Sequence, residues 1–130
     1  MHKSRLAGIV IDCQTGDLDE HAEFWGAALG RGIRRRYEPG DENYRLLEDA
    51  EDSLQVLTQK VEHPSRIHLD IETNDIEAEV QRLEGLGAQR LNKIRDWWVM
   101  QAPSGQRFCV VKPQRSDFEE LANVWEKSNE

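Results

Sequence analysis

Arg66-Ile67-His68-Leu69-Asp70-Ile71, followed at once by Glu72-Thr73-Asn74-Asp75-Ile76, is the stretch on which the fold turns. Its first six residues alternate strictly, with Ile67, Leu69 and Ile71 apolar and Arg66, His68 and Asp70 polar. A period of two describes a strand with one face on a core and the other toward water or a ligand. Asn74 is placed as a helix N-cap, with Glu77 three residues on to complete a capping box. The stretch therefore reads as strand, turn and helix, with a histidine on the polar face.

The same order stands earlier in the chain. Leu6 to Cys13 is an apolar run rich in Ile and Val that suits a buried strand. Thr15-Gly16-Asp17 makes a turn, and Leu18, Ala22, Trp25 and Leu29 then recur at helical spacing up to a stop at Gly30. Three short strands are expected next, at Ile33–Tyr37, Tyr44–Leu47 and Leu54–Thr58. Pro39-Gly40-Asp41 and Ala50-Glu51-Asp52 provide turns between them. Lys60 to Ser65, containing Pro64, is the one plausible linker.

After Arg66–Ile71 the helix has an apolar face of Ile76, Val80 and Leu83 and ends at Leu86-Gly87. Leu18 thus matches Ile76, Ala22 matches Val80, and Leu29-Gly30 echoes Leu86-Gly87. Strands are expected at Ala88–Ile94, Trp97–Gln101 and Arg107–Lys112, with a tight turn at Ala102-Pro103-Ser104-Gly105. The chain is strand–helix–three strands, written twice. A duplicated unit of this length does not bury its own sheet, so the halves are expected to share a core. A C-terminal helix over about 116–127 is expected, capped by Ser116 with Glu119 and striped by Phe118, Leu121, Ala122 and Trp125.

Composition narrows the function. The 130 residues fit a single domain, and a formal charge of −8 argues against nucleic-acid binding, which needs clustered Lys and Arg. Arg34-Arg35-Arg36 is the one local basic run and reads as a solvated strand edge. No stretch has the length of an apolar membrane span, and no h-region of a secretory signal is evident behind the basic start Met1–Arg5. Cys13 and Cys109 lack a CxxC spacing. The expectation is a cytoplasmic protein with reduced thiols that contacts neither nucleic acid nor membrane.

A doubled unit with these residues resembles the vicinal oxygen chelate superfamily, which includes glyoxalase I, extradiol dioxygenases, and fosfomycin resistance and bleomycin-binding proteins. The carrying residues are Asp17-Leu18, Phe24-Trp25 and Leu29-Gly30 in the first half. In the second half they are Arg66 to Asp70, Asp75-Ile76, Leu86-Gly87-Ala88, and Ala102 to Gly105 before Phe108. The Phe-Trp pair, the Arg-Ile-His-Leu-Asp strand and the ending Phe108-Cys109-Val110-Val111 look most like the glyoxalase-like subset.

The resemblance implies an α+β fold of two βαβββ modules, about 5–59 and 65–112, forming a mixed, curved eight-stranded sheet whose hollow holds the ligand. It also implies a homodimer. Transferred residue by residue, the family's metal-ligand positions fall on His68, Gln55 and Cys109, with a first-strand slot somewhere in Ala7-Gly8-Ile9-Val10. The family's carboxylates are missing from this set, and no cofactor or family-type metal is expected.

By strand parity and the resemblance, the candidate ligand-binding residues are Gln55, Leu57, Arg66, His68, Asp70, Trp97, Trp98, Arg107 and Cys109. One of the adjacent tryptophans faces the ligand, and the other packs against a helix or a subunit. His68 is the best candidate for a hydrogen-bonding or general-base role. Cys109 reads first as a buried, inert thiol, and Arg66, Asp70 and Arg107 as internal ion pairs or as contacts to an anion.

The reading favoured is a protein that binds a small organic molecule without a family-type metal, with transformation of that molecule left open. A metal-dependent lyase, isomerase or dioxygenase of the glyoxalase I type is the alternative, requiring ligands such as Asp12 or Glu72. A non-catalytic interaction module with a filled hollow is the second alternative.

Overall fold

Two aspartates start the two principal helices, and they divide the chain as the duplicated pattern expects. In the computed structural model, which describes residues 1–34, 42–48 and 54–126, the chain separates into Gly8–His68 and a second unit formed by Met1–Ala7 with Leu69–Glu130.

The Gly8–His68 unit begins in strand β1 (His2–Cys13), turns into helix α1 (Leu18–Leu29) and continues through β2 (Gly32–Ile33), β3 (Tyr44–Glu48) and β4 (Gln55–Lys60). The Asp17 side chain accepts from the Asp19 backbone N–H, and Gly30 ends the helix in the left-handed region at φ 73°. Strand β4 lies parallel to β1, and β3 is antiparallel to both β4 and β2. Ile11, Cys13, Ala22, Leu47 and Val56 form the core, with Trp25 and Ile33 packed on it. Burial raises the Cys13 thiol pKa above its ordinary value, so this cysteine behaves as a small core hydrophobe.

The second unit repeats the plan with β5 (Arg66–Thr73), α2 (Ile76–Gly85), β6 (Gln89–Ile94), β7 (Trp97–Gln101) and β8 (Arg107–Val111). Here β8 is parallel to β5, and β7 is antiparallel to β8 and β6. The core is Val80, Leu83, Met100 and Val110, with Ile71, Ile76, Ala88, Trp98 and Phe108 against it. In each unit the strand before the helix runs parallel to the unit's last strand. The strand order is β2-β3-β4-β1-β5-β8-β7-β6, a mixed α+β sheet of the kind the doubled pattern implied.

Three expectations are corrected. The cap of α2 is Asp75, whose side chain accepts from the Ala78 N–H, and not Asn74. Asn74 is occupied with β1: its Oδ1 accepts from the Lys3 N–H at 2.9 Å, and its own N–H donates to the Lys3 carbonyl. Strand β1 starts at His2 rather than Leu6, because its polar first residues find partners in the second unit. The C-terminal helix over 116–127 is replaced by a single turn, α3 (Phe118–Leu121), and a strand, β9 (Asn123–Trp125), antiparallel to β1. Asp117 makes no cap hydrogen bond; it pairs with Arg5. Trp125 is held by a hydrogen bond from its Nε1 to Ser4 Oγ (2.8 Å) and by the Arg82 guanidinium 3.9 Å from its ring.

Most of the Ile33–Tyr37 strand, Arg35 and Arg36, the turns at Pro39–Asp41 and Ala50–Asp52, and the end of the expected C-terminal helix lie outside the described residues.

Candidate functional site

Register decides which side chains of the Gly8–His68 unit share a face. The opposed pairs Gly8/Gln55, Val10/Leu57 and Asp12/Gln59 between β1 and β4, with Leu46/Leu57 and Tyr44/Gln59 between β3 and β4, lie away from α1. The intervening residues Ile11, Val56 and Leu47 form the core under α1. The helix-free face thus has an apolar centre of Val10, Leu46 and Leu57. Polar Gln55, Gln59 and Asp12 surround it, and Gln59 Nε2 donates to Tyr44 Oη at 3.0 Å.

Asp12 anchors this face. It is 2% exposed, and its Oδ2 accepts a hydrogen bond from His68 Nδ1 at 2.9 Å. An ionised carboxylate only accepts, so Nδ1 carries a proton. Arg66 Nε and His63 Nε2 each lie 3.8 Å from the same oxygen. Among the described residues, Asp12 Oδ1 has no hydrogen-bond partner. A buried carboxylate oxygen left in that state marks a place for a donor.

The second unit has its own helix-free face. Asp70 stands opposite Cys109, Val99 opposite Cys109, and Gln101 opposite Arg107. Trp97 shares that face by alternation, whereas Trp98 packs on the α2 side against the core beneath Arg90. Of the two tryptophans, Trp97 is therefore the one turned from the helix.

The expected site residues thus fall into two groups, each described within its own unit. Gln55, Leu57, Arg66 and His68 lie on the Gly8–His68 unit. Asp70, Trp97, Arg107 and Cys109 lie on the other, with Trp98 in its core. Sequence reading did not single out Gln59, Tyr44 or His63, and it weighed Asp12 as an ion-pair partner of the arginines or an alternative metal ligand, not as the partner of His68. One signal was present: Asp12 is a carboxylate inside an otherwise apolar run, which calls for a partner.

The resemblance implies metal-ligand positions, and the donors present can be tested against a metal. Gly8, one of the four residues among which the first-strand slot falls, stands opposite Gln55, and a Cβ there would meet the Gln55 carbonyl oxygen at 2.8 Å. The strand approach therefore demands glycine, and no ligating side chain fits at that position. In this unit the family positions supply one imidazole, His68, and one carboxamide, Gln55. In the other unit Asp70 and Cys109 bring a carboxylate oxygen and a thiol within 4.8 Å of each other. The family positions of the Gly8–His68 unit are thus an imidazole and a carboxamide, two donors where a catalytic metal site uses three protein ligands. Glu72 does not serve either: it accepts from Arg5 Nε (2.7 Å), Arg115 Nε (3.1 Å) and the backbone N–H groups of Gln114 and Arg115.

Residues 8–111 match the family described as Glyoxalase-like domain. No curated protein matches the sequence. Among solved structures, a hypothetical protein from Bacillus halodurans superposes with a TM-score of 0.60 at 13% identity, covering 87% of this chain and 97% of that one. A Streptomyces coelicolor methylmalonyl-CoA epimerase in complex with 2-nitronate-propionyl-CoA gives 0.56 at 16%, covering 85% and 98%. An extradiol ring-cleaving dioxygenase from B. fuscum gives 0.55 at 18%, covering 83% of this chain and 32% of that one. At these identities the likeness is one of fold. No helix among the described residues is long and apolar enough to cross a membrane.

Proposed function

Because the chain belongs to the glyoxalase-like domain family, we propose that it binds a small organic molecule on the helix-free face of its sheet, with His68 as the polar group that meets it. The observation that carries this is the 2.9 Å bond from His68 Nδ1 to a carboxylate that is 2% exposed. That bond orients the ring, and in this reading Nε2 is the atom that acts as acceptor or general base. Val10, Leu46 and Leu57 supply apolar contact, and Gln55 and Gln59 supply neutral hydrogen bonds, the usual makeup of a small-molecule site. The methylmalonyl-CoA epimerase neighbour is complexed with a small organic ligand, which supports the ligand class without naming the substrate here.

The proposed site works without a family-type metal, because none of Ala7, Gly8, Ile9 and Val10 has a ligating side chain and the β4 position is a carboxamide. One observation favours a second reading, a metal-dependent lyase, isomerase or dioxygenase. A carboxylate behind an imidazole is also how metal-ligating histidines are oriented.

A thermal-shift screen of neutral organic compounds tests the first reading. Hits on the wild-type chain are expected to lose their stabilisation in His68→Asn, whose fold is checked by circular dichroism. Hits that persist unchanged would remove His68 from the site. We further propose a homodimer, supported by exposed Leu6, Leu69, Leu121 and Val124 on the second unit. A reducing, cytoplasmic setting is supported by two free thiols.

A further inference from the structure

The two carboxylate oxygens of buried Asp12 are used unequally. Oδ2 accepts from His68 Nδ1 at 2.9 Å, and Arg66 Nε and His63 Nε2 stand 3.8 Å from the same atom. Oδ1 is buried and accepts from no donor among the described residues. Keeping a carboxylate oxygen from water without a donor is costly. An oxygen in this state calls for a partner that arrives from outside the chain.

The neighbouring donors are directed elsewhere. Gln59, opposite Asp12 across β1 and β4, gives Nε2 to Tyr44 Oη at 3.0 Å. Gln14 Nε2 donates to the Glu62 carbonyl, and Lys60 Nζ to the Gln14 and Gly16 carbonyls. Arg66 and His63 stand beyond hydrogen-bond reach of Oδ2, so displacing either costs Asp12 no hydrogen bond. Their side chains are 43% and 37% exposed, the outermost of the group. The Arg66 cation already faces the carboxylate charge, so Oδ1 needs a donor rather than a second cation. On the same face, two residues before Asp12, Val10 stands opposite Leu57, and Leu57 opposite Leu46. The acceptor therefore borders the apolar centre of the face.

We infer that Asp12 Oδ1 is a ligand-binding acceptor, and that the ligand is a neutral molecule with an apolar body and an O–H or N–H group that donates to it. This rests on the reading of the helix-free face as the ligand site, and it adds the substrate class. The body lies on Val10, Leu46 and Leu57, and the donor reaches Oδ1 as the exposed Arg66 or His63 side chain moves aside. One carboxylate then serves two partners, Oδ2 holding His68 and Oδ1 holding the ligand. A site with a buried acceptor to satisfy rejects the analogue lacking the donor far more strongly than an apolar pocket separates two similar shapes.

Isotope-edited NMR titration of the full chain, with and without a chelator, tests this with two pairs of near-equal shape: phenol and toluene, and benzamide and acetophenone. In each pair a methyl group replaces the donor, and hydrophobicity alone favours the methyl compound. The donor-bearing member is expected to bind at least about tenfold more tightly and to shift the amide signals of Val10 and Asp12. A preference seen with phenol identifies an O–H ligand, and one seen with benzamide an N–H ligand. In Asp12→Asn one acceptor oxygen faces two donors, and the preference is expected to disappear. If that variant only released His68, both members of a pair would weaken by the same factor, and this result overturns the inference. Equal affinities within both wild-type pairs, a preference that the chelator abolishes, or no binding of any of the four compounds overturns it too. Circular dichroism checks the fold of Asp12→Asn, and the wild-type comparison decides by itself where the variant does not fold. Equal affinities that are nonetheless lost in His68→Asn keep the face as the ligand site and remove only the donor, so the two proposals fail separately.

Discussion

His68 donates from Nδ1 to Oδ2 of Asp12, 56 residues earlier in the chain, at 2.9 Å. The carboxylate is buried and the imidazole half-buried, so the pair sits where a hydrogen bond to a charged group matters. Asp12→Asn keeps the shape but replaces an acceptor-only group with an amide. It is expected to cost about 1–3 kcal/mol in urea unfolding and to weaken ligand binding by releasing the His68 ring. Unchanged stability together with unchanged binding would show that Asp12 does not orient His68.

Glu72 is 0% exposed and receives four hydrogen bonds, two of them from Arg5 and Arg115. Glu72→Ala leaves two mostly buried guanidinium groups without their shared carboxylate. Breaking a buried ion pair from one side costs about 3–5 kcal/mol. Urea unfolding monitored by tryptophan fluorescence measures it, and a loss below about 1 kcal/mol would contradict the assigned role.

Glu79 sets the acid limit of the second unit. Burial opposes its ionisation, but hydrogen bonds from Arg82, His2 and Ser4 outweigh it and hold its pKa below the usual value. A carboxyl depressed in the folded state adds stability above its unfolded value of about 4.3, and that stability is lost as pH falls through the lower folded value. Glu79→Gln is therefore expected to be less stable than the wild type at neutral pH. The gap should narrow below about pH 4. Thermal unfolding across pH checks both.

Trp125 closes β9 onto β1 through Ser4 and stacks on Arg82. Trp125→Ala removes a hydrogen bond, a cation–π contact and apolar burial, and is expected to lower stability by about 2–4 kcal/mol. A melting temperature unchanged within error would contradict a structural role for this C-terminal strand.

Much of this fold was legible in advance, and the failures share a cause. The alternation of Arg66–Ile71, the spacing of Leu18, Ala22 and Trp25, and the stop at Gly30 are local signals, and the structure follows them. The Asn74 cap, the β1 start at Leu6 and the C-terminal helix went astray because each depends on distant partners. Lys3 takes Asn74, Arg5 takes Asp117, and Ser4 with Arg82 takes Trp125. The candidate site divides the same way. Strand parity put Gln55 and Leu57 on one face and made His68 polar-facing, but no local pattern couples His68 to Asp12 or brings His63 beside Arg66.

The central claim is that His68 meets an organic ligand without a family-type metal, and metal content tests it most directly. Divalent metal is to be quantified in protein purified without chelator, for the wild type and for His68→Ala. The account predicts far less than one ion per chain in both. One ion per wild-type chain, lost in His68→Ala, would contradict it and establish His68 as a metal ligand.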